Sequence, residues 1–569
     1  MKKIVTLSHS PIVVVLLSSS FLVSHRKSQV ARVVGAMLPA GRHVARLVEF
    51  AGAAPQRSQP RITALRRFVS SDASQNDVVD VCVVGGGVVG TALACLLRCS
   101  TRTKHLSVTL VDKNVAPSPT LLDAPPEVPD ARVSALTPVS VQLLRQVGAW
   151  DRIKNARARP FTAMQVWDAR AAGHVRYDSV EVGAESLGHV VENRLVHAAL
   201  AEAAEKLGVV MMSNASVDAL SVDGAVGAAN ENRKRGAPAE VHLRNETTGD
   251  VNTIKARVVI GADGAASKVR TLAGIRAPGW PYNLKALCGT VRLDRSTDVA
   301  FQRFLPNGPL AVLPCTEDPH VANVVWTNTP QEADRIVCLS DQEFAEEVDQ
   351  AFRGVGRYDY SDKDEDFGDE ETHSSATSSS PFPFSVPNEK DIVSKFLRPG
   401  VERVMRVLEE SHKNGGLGAG VSMIGGAPFE QPPSVVSASG KRGAFPLATK
   451  LTGRHVSDRL ALVGDAAHQV HPLGGQGVNL GLRDVTLLHD VFCDTVETGG
   501  DIGSSVCLSL YEHKARRANV PMMAALDGLQ KLFAVDSVGV AWARGVGLAG
   551  VNGIGPLRRE IAKYAMGGA

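Results

Sequence analysis

Three glycines at the end of an apolar run have the spacing of a phosphate-binding turn. Gly85, Gly87 and Gly90 form the pattern G-x-G-x-x-G between the β-branched stretch 78–84 and a stretch rich in alanine and leucine. This order predicts a strand, a tight turn and a helix. The first glycine permits the turn, the second lets a pyrophosphate approach the backbone, and the third lets the helix pack closely. The pattern indicates a dinucleotide site at a helix N-terminus, with an ordinary glycine-rich turn as the alternative.

Asp112 has the position of a ribose-binding carboxylate. It ends the alternating run 106–111 and lies 22 residues beyond Gly90. A carboxylate at this spacing accepts hydrogen bonds from the hydroxyls of an adenosine ribose. A solvated acid at the end of a strand is the alternative.

Two later strand-like runs also end in an aspartate beside a glycine. The run 256–261 leads to Asp263 and Gly264, and the run 459–463 leads to Gly464 and Asp465. A glycine-rich loop follows the second pair and is itself followed by helical sequence. Three strand-to-turn signals thus occur in order along the chain.

In this order the three signals resemble the motifs of the single-component aromatic-ring flavin monooxygenases of the p-hydroxybenzoate hydroxylase type. The second signal resembles the Asp-Gly motif of that family, and the third resembles its Gly-Asp motif. The resemblance implies that the chain binds FAD.

The shape of FAD suggests roles for the residues of the third motif. The cofactor presents a chain of ribityl hydroxyls and a flat ring, which backbone can grip more closely than bulky side chains. Asp465 can accept hydrogen bonds from the ribityl hydroxyls, while a set of glycines lets the chain pass close to the ring: Gly474, Gly475 and Gly477. The resemblance places Pro472 beside the ring and extends this reacting end to Asn479.

Three charged residues near these motifs each have two interpretations. Asp263 and Arg270 resemble residues that link flavin binding to reduced-nicotinamide binding, and a structural pair that braces the turn is the alternative. Arg132 resembles an arginine that contacts the flavin from the substrate side, and a surface arginine is the alternative.

The sequence does not distinguish a metal site or a catalytic acid or base. Asp465, His468 and His471 have a spacing that could suggest metal binding, but the flavin loop explains the stretch and no carboxylate or cysteine cluster complements it. We therefore expect no metal. His468 and His471 are candidates for catalysis only through their proximity to the flavin loop.

Further stretches narrow the resemblance to the ubiquinone-biosynthesis hydroxylases, and in particular to their mitochondrial members. These stretches are 132–138, 147–150, 164–168, 192–194, 280–286 and 302–309. The resemblance implies that reduced FAD reacts with O2 to form a C4a-hydroperoxide, which hydroxylates the ring of a polyprenylated phenol derived from 4-hydroxybenzoate. It also implies an apolar tunnel, peripheral contact with the inner membrane and membership of a multi-subunit biosynthetic complex.

The electron donor stays open at this point. No second G-x-G-x-x-G follows a later strand, so a separate nicotinamide domain is not expected. Electrons would come from NAD(P)H that visits the FAD domain, or from a ferredoxin and its reductase. Two other functions share the FAD motifs: an FAD-dependent reductase of prenyl chains, and a non-catalytic FAD-stabilised subunit of a biosynthetic complex.

The expected fold is α/β, with a discontinuous Rossmann-like FAD domain, an inserted β-rich substrate domain and a helical C-terminal region. We expect the FAD domain in three parts, 76–160, 191–280 and 446–500, and the substrate domain at 161–190, 281–353 and 388–445. An acidic and Ser/Pro-rich insert at 354–387 is expected to be disordered. The helical region should span 501–569, where Arg516, Arg517, Arg558 and Arg559 could contact a membrane or form a solvated basic face.

The charge of the chain is concentrated at its N-terminus. The formal net charge is +3, but residues 1–70 hold eleven Lys or Arg and one acid, which leaves −7 for the rest. This Arg-rich leader, 1–75, predicts a mitochondrial presequence, although the apolar run 11–23 could instead belong to a secretory signal. We expect the matrix face of the inner membrane. The mildly acidic remainder gives no reason to expect nucleic acid binding, and the eight scattered cysteines are typical of a reducing compartment.

Overall fold

The computed structural model describes residues 78–222, 236–360 and 426–567. The expected presequence, and residues 361–425 of the expected insert and substrate domain, lie outside the described residues. None of the helices within the described ranges has the length and apolarity needed to cross a membrane.

The strands of the described ranges form two large sheets and one small sheet. In chain order they are β1 (Val79–Val84), β2 (Val108–Val111), β3 (Val133–Leu136), β4 (Arg159–Phe161), β5 (Ala163–Asp168), β6 (His174–Asp178), β7 (Gly188–Glu192), β8 (Val210–Met212), β9 (Ala215–Ser221), β10 (Ala239–Asn245), β11 (Val251–Gly261), β12 (Gly279–Leu293), β13 (Val299–Leu305), β14 (Gly308–Pro314), β15 (Val321–Asn328), β16 (Val435–Leu451), β17 (Val456–Ser457), β18 (Leu460–Leu462) and β19 (His468–Gln469).

The helices cover these sheets and dominate the C-terminal region. They are α1 (Val88–Cys99), α2 (Thr120–Asp123), α3 (Pro138–Gln146), α4 (Trp150–Arg157), α5 (Asn193–Lys206), α6 (Lys268–Leu272), α7 (Pro330–Val337), α8 (Asp341–Arg353), α9 (Gln476–Glu497), α10 (Ser505–Ala534), α11 (Val538–Gly553) and α12 (Gly555–Ala565).

The first large sheet has the parallel core of a dinucleotide-binding fold. Its order is β17-β18-β11-β1-β2-β8, and the pairs β18–β11, β11–β1, β1–β2 and β2–β8 are parallel. The strands β1 and β2 are almost entirely buried, as their uninterrupted apolar sequence requires between two covering layers. Helix α1 packs in the core beneath them through Leu93, Leu96 and Leu97. We call this sheet the FAD sheet.

The second large sheet is built from segments far apart in the chain. Its order is β19-β16-β12-β15-β14-β13-β5-β6, and every pair except the parallel β13–β5 is antiparallel. Trp167, Phe301 and Phe352 pack edge to face or tilted within its core. We call it the substrate sheet. Strand β19 lies in the range expected for the FAD domain, and β12 and β16 each extend a few residues into that range.

The C-terminal helices are fastened to the substrate sheet by buried ion pairs. Arg544 of α11 contacts Asp168 of β5 at 2.6 Å, and both side chains are almost fully buried. Arg558 of α12 pairs with Glu181 and is also buried. Arg516 of α10 donates to the Thr452 carbonyl oxygen at 2.9 Å.

The expectation of a free basic face at the C-terminus is therefore wrong for two of its four arginines. Arg558 is buried and Arg516 is engaged by backbone, because the helices pack these positions against neighbouring elements. Arg517 and Arg559 are exposed.

Candidate functional site

The predicted glycine motif forms a tight turn between β1 and α1. Gly85 has φ +109°, and a Cβ atom there would lie 2.4 Å from the Ala262 carbonyl oxygen. A Cβ atom on Gly90 would lie 1.9 Å from the Gly85 carbonyl oxygen. Both positions require glycine because the chain packs against itself. A Cβ atom on Gly87 would meet nothing within 4 Å, so the protein fold alone does not explain that glycine.

Asp112 lies beside this turn at the end of β2. Its Oδ2 accepts a 2.6 Å hydrogen bond from the Gly86 N–H, and its Oδ1 accepts one from the Asn114 N–H. A cleft lined by Gly86, Asp112 and His197 opens here. A ribose and its base would fit against this carboxylate, and His197 of α5 is a residue of the cleft that sequence reasoning missed.

Asp263 and Arg270 brace the Asp-Gly turn through different hydrogen-bond partners. One carboxylate oxygen of Asp263 accepts from the N–H groups of Lys268 and Val269, and so caps α6. Arg270 donates to the carbonyl oxygens of Ala265 and Ala466, each at 2.9 Å. These bonds favour the structural interpretation of Arg270, which joins the Asp-Gly motif to the Gly-Asp motif.

Gly264 and Gly464 both adopt the left-handed conformation that their turns need, with φ +81° and +59°. Gly464 follows β18, and the Val463 N–H donates to the Gly261 carbonyl oxygen at the end of β11. The two aspartate motifs therefore lie side by side at the carboxyl ends of adjacent parallel strands.

The Asp465 carboxylate is open to solvent. Its side chain is exposed, yet surrounding protein atoms raise its pKa through burial, and the nearby His468 opposes that shift. Within the described ranges no residue donates a hydrogen bond to it. Its oxygens are free to accept from the hydroxyls of a ligand, as predicted for the ribityl chain.

A buried polar triangle lies behind Asp465. The Oδ2 of Asp484 accepts from the Gly464 N–H at 2.9 Å and lies 2.7 Å from Nε2 of His468. Asn519 donates to the other oxygen of Asp484 at 2.7 Å. Burial alone would lower the pKa of His468, but the Asp484 charge outweighs burial and raises it. Asp484 was not singled out by sequence, because it lies on α9 without a distinguishing motif.

The flavin loop after this turn leaves the FAD sheet and joins the substrate sheet. Strand β19 pairs with β16 through Gln469 opposite Lys450 and His468 opposite Leu451. The chain then turns through Pro472 and two left-handed glycines, Gly474 and Gly475, with φ +68° and +64°. Gly477 follows in the first turn of α9. The loop therefore sets a helix N-terminus at the junction of the two sheets.

Asn479 locks the flavin loop to β3 and α3. Its Oδ1 accepts from the Thr137 N–H and the Ser140 hydroxyl, and its Nδ2 donates to the carbonyl oxygens of Ala135 and Gly475. Its side chain is thus satisfied within the protein, so any contact of this residue with FAD would have to come from its backbone.

Arg132 is exposed and directly precedes β3. Burial raises the pKa of the Cys288 thiol in β12 to about 12, and the positive charge of Arg132 opposes that shift. Arg132 therefore lies near the substrate sheet, and its contact with the flavin stays a prediction.

A second polar cluster, which the sequence did not indicate, joins the substrate sheet to the flavin loop. The Tyr282 hydroxyl of β12 donates to Oδ1 of Asp527 in α10 at 2.8 Å. The Tyr282 ring meets the His471 ring edge to face at 5.2 Å. Burial lowers the pKa of His471 to about 4 and raises that of Tyr282, so both are neutral near pH 7.

The residues present fit FAD. The cradle at Gly85 and Gly90, the open approach at Gly87 and the free carboxylate of Asp465 lie at the carboxyl ends of neighbouring parallel strands. Such an edge is where open α/β sheets bind dinucleotides. A metal site, which the sequence did not favour, gains no support from the geometry of the described residues, since His468 and His471 contact different partners.

Comparisons with known proteins agree with this geometry. A family model described as "FAD binding domain" matches residues 78–359 and 430–523. The chain is 32% identical to ubiquinone biosynthesis monooxygenase COQ6, mitochondrial, from Xenopus tropicalis over 86% of this chain and 93% of that protein. It is 32% identical to the Homo sapiens protein of the same name, over 92% and 99%.

A solved structure shares the fold. The crystal structure of p-nitrophenol 4-monooxygenase PnpA from Pseudomonas putida DLL-E4 superposes with a TM-score of 0.57 and 15% identity, covering 86% of this chain and 98% of that chain.

A single loop leads from the FAD sheet to the substrate sheet, as in a flavin-dependent monooxygenase. The chain is an enzyme of this class. The identities extend over almost the whole length of the relatives. The chain belongs to the family of ubiquinone-biosynthesis monooxygenases. The predictions of FAD and of this family are confirmed.

Proposed function

We propose that this enzyme hydroxylates the aromatic ring of a polyprenylated phenol in ubiquinone biosynthesis, at the matrix face of the mitochondrial inner membrane. The observation that carries the proposal is the pairing of β19 with β16, because it sets the reacting end of the cofactor site against the substrate sheet. Its relatives are named as mitochondrial monooxygenases of this pathway, which favours hydroxylation over prenyl-chain reduction or a non-catalytic role.

The protein residues would hold FAD along the edge of the FAD sheet. The turn at Gly85–Gly90 would receive the pyrophosphate, Asp112 the ribose, and Asp465 the ribityl hydroxyls. The left-handed glycines Gly474 and Gly475 would let backbone approach the ring. When bound and reduced, FAD activates O2 and supplies the hydroxyl group that enters the substrate ring.

Tyr282 and Asp527 have the chemistry to orient a phenol. The hydrogen of the Tyr282 hydroxyl is engaged by Asp527, and Thr449 also hydrogen-bonds to this hydroxyl. A hydroxyl oxygen has two lone pairs, so it can accept one more hydrogen bond from a phenol. Asp527 is largely buried and also contacts Lys531 at 2.9 Å. A proton that leaves the phenol could thus pass through Tyr282 to this carboxylate, making the ring more electron-rich.

Apolar side chains meet the flavin loop from the substrate side. Leu473 packs in one cluster with Val166 and Phe304 of the substrate sheet and Met522 and Leu526 of α10. This wall suits an apolar substrate and keeps water from the reacting end of the site. NAD(P)H or a ferredoxin is the proposed electron donor, and the proposed biosynthetic complex would hold the enzyme near its lipid-soluble substrate.

The test uses purified full-length protein. Its bound flavin is identified by absorbance, reduced anaerobically by light, and mixed with O2 in the presence of a prenylated 4-hydroxybenzoate-derived phenol. We expect hydroxylated product in excess of H2O2. Bound FAD that reoxidises without any hydroxylated product would overturn the proposal.

A variant pair separates cofactor binding from substrate chemistry. Asp465→Ala should abolish FAD retention because the ribityl hydroxyls lose their acceptor, whereas Asp494→Ala, at an exposed position of α9, should retain FAD. Unaltered flavin content in Asp465→Ala would show that Asp465 does not hold the cofactor.

A further inference from the structure

The Asp465 carboxylate has no protein partner of its own within the described residues, so its position depends on the turn that carries it. Three hydrogen bonds from side chains hold the backbone of that turn. The Gly464 N–H donates to Asp484, the Leu462 carbonyl oxygen accepts from the Tyr511 hydroxyl at 2.9 Å, and the Ala466 carbonyl oxygen accepts from Arg270.

Asp484 differs from the other two supports because it is itself held by two side chains. His468 and Asn519 both contact its carboxylate, and the amide nitrogen of Asn519 lies 3.1 Å from Nε2 of His468. All three side chains are at most 2% exposed. They come from three separate elements, β19, α9 and α10. A buried carboxylate with this many hydrogen-bond partners is fixed in position.

We propose that Asp484 is a positioning residue of the cofactor site, which together with His468 and Asn519 holds the Gly464 N–H and so fixes the direction of the Asp465 carboxylate. Asp484 does not touch the cofactor. Its effect passes through one backbone hydrogen bond to the neighbouring residue. The C-terminal helix α10 thereby contributes to cofactor binding through Asn519.

The charges around the triangle fit this role. His455 lies with its ring 6.2 Å from that of His468, and burial lowers its pKa to about 3, so it is neutral. Asp465 is the other charged group that acts on His468, and Arg516 acts on the neighbouring His455. The raised pKa of His468 favours a positive charge beside the carboxylate of Asp484, which makes a buried Asp484 tolerable.

The inference rests on FAD binding and not on the identity of the substrate, so it is tested with FAD alone. In Asp484→Asn, an amide replaces a carboxylate that accepts hydrogen bonds from Gly464, His468 and Asn519, and the NH2 group of the amide cannot accept any of them. We expect the Kd for FAD to rise by about tenfold or more, the usual effect of losing a hydrogen bond to a charged group. Asp490→Asn is the matched control, because Asp490 lies on the same helix with an exposed side chain; its Kd should stay within about twofold of wild type.

A double variant asks whether the triangle acts as a unit. Asp484→Asn with Asn519→Asp keeps one acid, one amide and His468, and still offers an oxygen to the Gly464 N–H. We expect each single variant to bind FAD weakly and the double variant to recover most of the affinity. Recovery of the melting temperature of the apoprotein without recovery of FAD affinity would mean that the triangle supports packing only, and would overturn the proposal.

Amide hydrogen exchange of the apoprotein gives a readout independent of FAD. In Asp484→Asn, peptides that cover 462–468 should lose protection, while peptides that cover β1 should keep it. Should Asp484→Asn not fold, Asn519→Leu replaces it, because leucine is close to asparagine in size and cannot donate to Asp484. Wild-type FAD affinity in Asp484→Asn, or in Asn519→Leu where that variant replaces it, would overturn the proposal.

Discussion

The Tyr282 hydroxyl and the Asp527 carboxylate, 245 residues apart in the chain, form a 2.8 Å hydrogen bond that joins the substrate sheet to helix α10. The His471 ring of the flavin loop packs against the same tyrosine. The Tyr282 side chain thus connects the substrate sheet, helix α10 and the flavin loop, and the reaction needs these three parts in a fixed relative placement. Its removal should affect the chemistry and leave cofactor binding intact.

Tyr282→Phe should lower the rate of product formation by about 100-fold, the scale of a lost acid–base contribution. FAD affinity should be unchanged, since Tyr282 lies outside the FAD sheet. Product and H2O2 are measured after admission of O2 to the reduced enzyme, and H2O2 should rise as product falls. Tyr564→Phe makes the same chemical change at a half-exposed tyrosine and serves as the control. Equal product yields from both variants would remove Tyr282 from the mechanism.

Two glycines of the same motif should fail in different ways. Gly90→Ala forces a Cβ atom to within 1.9 Å of the Gly85 carbonyl oxygen, so the apoprotein should lose about 1–3 kcal/mol of unfolding free energy to overpacking. Gly87→Ala meets no atom within 4 Å and has an ordinary φ of −71°. Its apoprotein should melt like wild type.

The second readout for these glycines is FAD affinity. In Gly87→Ala the added methyl group would occupy the path of the pyrophosphate, so the Kd for FAD should rise by about tenfold or more. Calorimetry of the apoprotein and fluorescence titration with FAD separate the two effects. Wild-type FAD affinity in Gly87→Ala would place the pyrophosphate elsewhere.

The titration of two buried histidines should make the unfolding free energy of the enzyme depend on pH. Burial lowers the pKa of His455 to about 3, whereas an unfolded histidine titrates near 6.5. Below that value the unfolded chain binds a proton that the folded chain does not, so this contribution to stability is lost as the pH falls from about 6.5 toward 3. His468 has a raised pKa and acts in the opposite sense: its stabilisation is present below about 6.5 and is lost as the pH rises through its folded pKa.

Denaturant unfolding between pH 7 and 4 tests this sign. His455→Asn should reduce the slope of unfolding free energy against pH by about one proton, and the exposed His513→Asn should not change it. A slope that is the same in all three proteins would show that His455 titrates normally.

The sequence predicted those features that local spacing determines. The turn at Gly85–Gly90, the aspartate at the end of β2 and the two aspartate–glycine turns occur where strand patterns end, and the structure brings them to one sheet edge. Contacts between distant segments gave no such signal. The triangle of Asp484 and the pair of Tyr282 with Asp527 depend on how helices pack, which periodicity does not specify.

The C-terminal arginines show the same limit in a prediction that was wrong. Arg558 and Arg559 are neighbours in sequence and equally basic, but adjacent residues point in different directions from a helix. Arg558 therefore faces the substrate sheet and is buried against Glu181, while Arg559 faces solvent. Charge alone could not tell them apart.

Because one arginine is buried and the other exposed, substitution by alanine should affect protein stability differently at the two positions. Arg558→Ala leaves Glu181 without its partner and removes packing between α12 and the substrate sheet, so unfolding free energy should fall by about 1–3 kcal/mol, less than for a fully buried pair because Glu181 is partly exposed. Arg559→Ala should change it by no more than about 0.5 kcal/mol. Arg559→Ala should instead weaken sedimentation with anionic vesicles if the exposed arginines contact the inner membrane. Thermal unfolding and vesicle sedimentation of both variants check this, and equal stability losses would mean that the Arg558–Glu181 pair does not fasten α12.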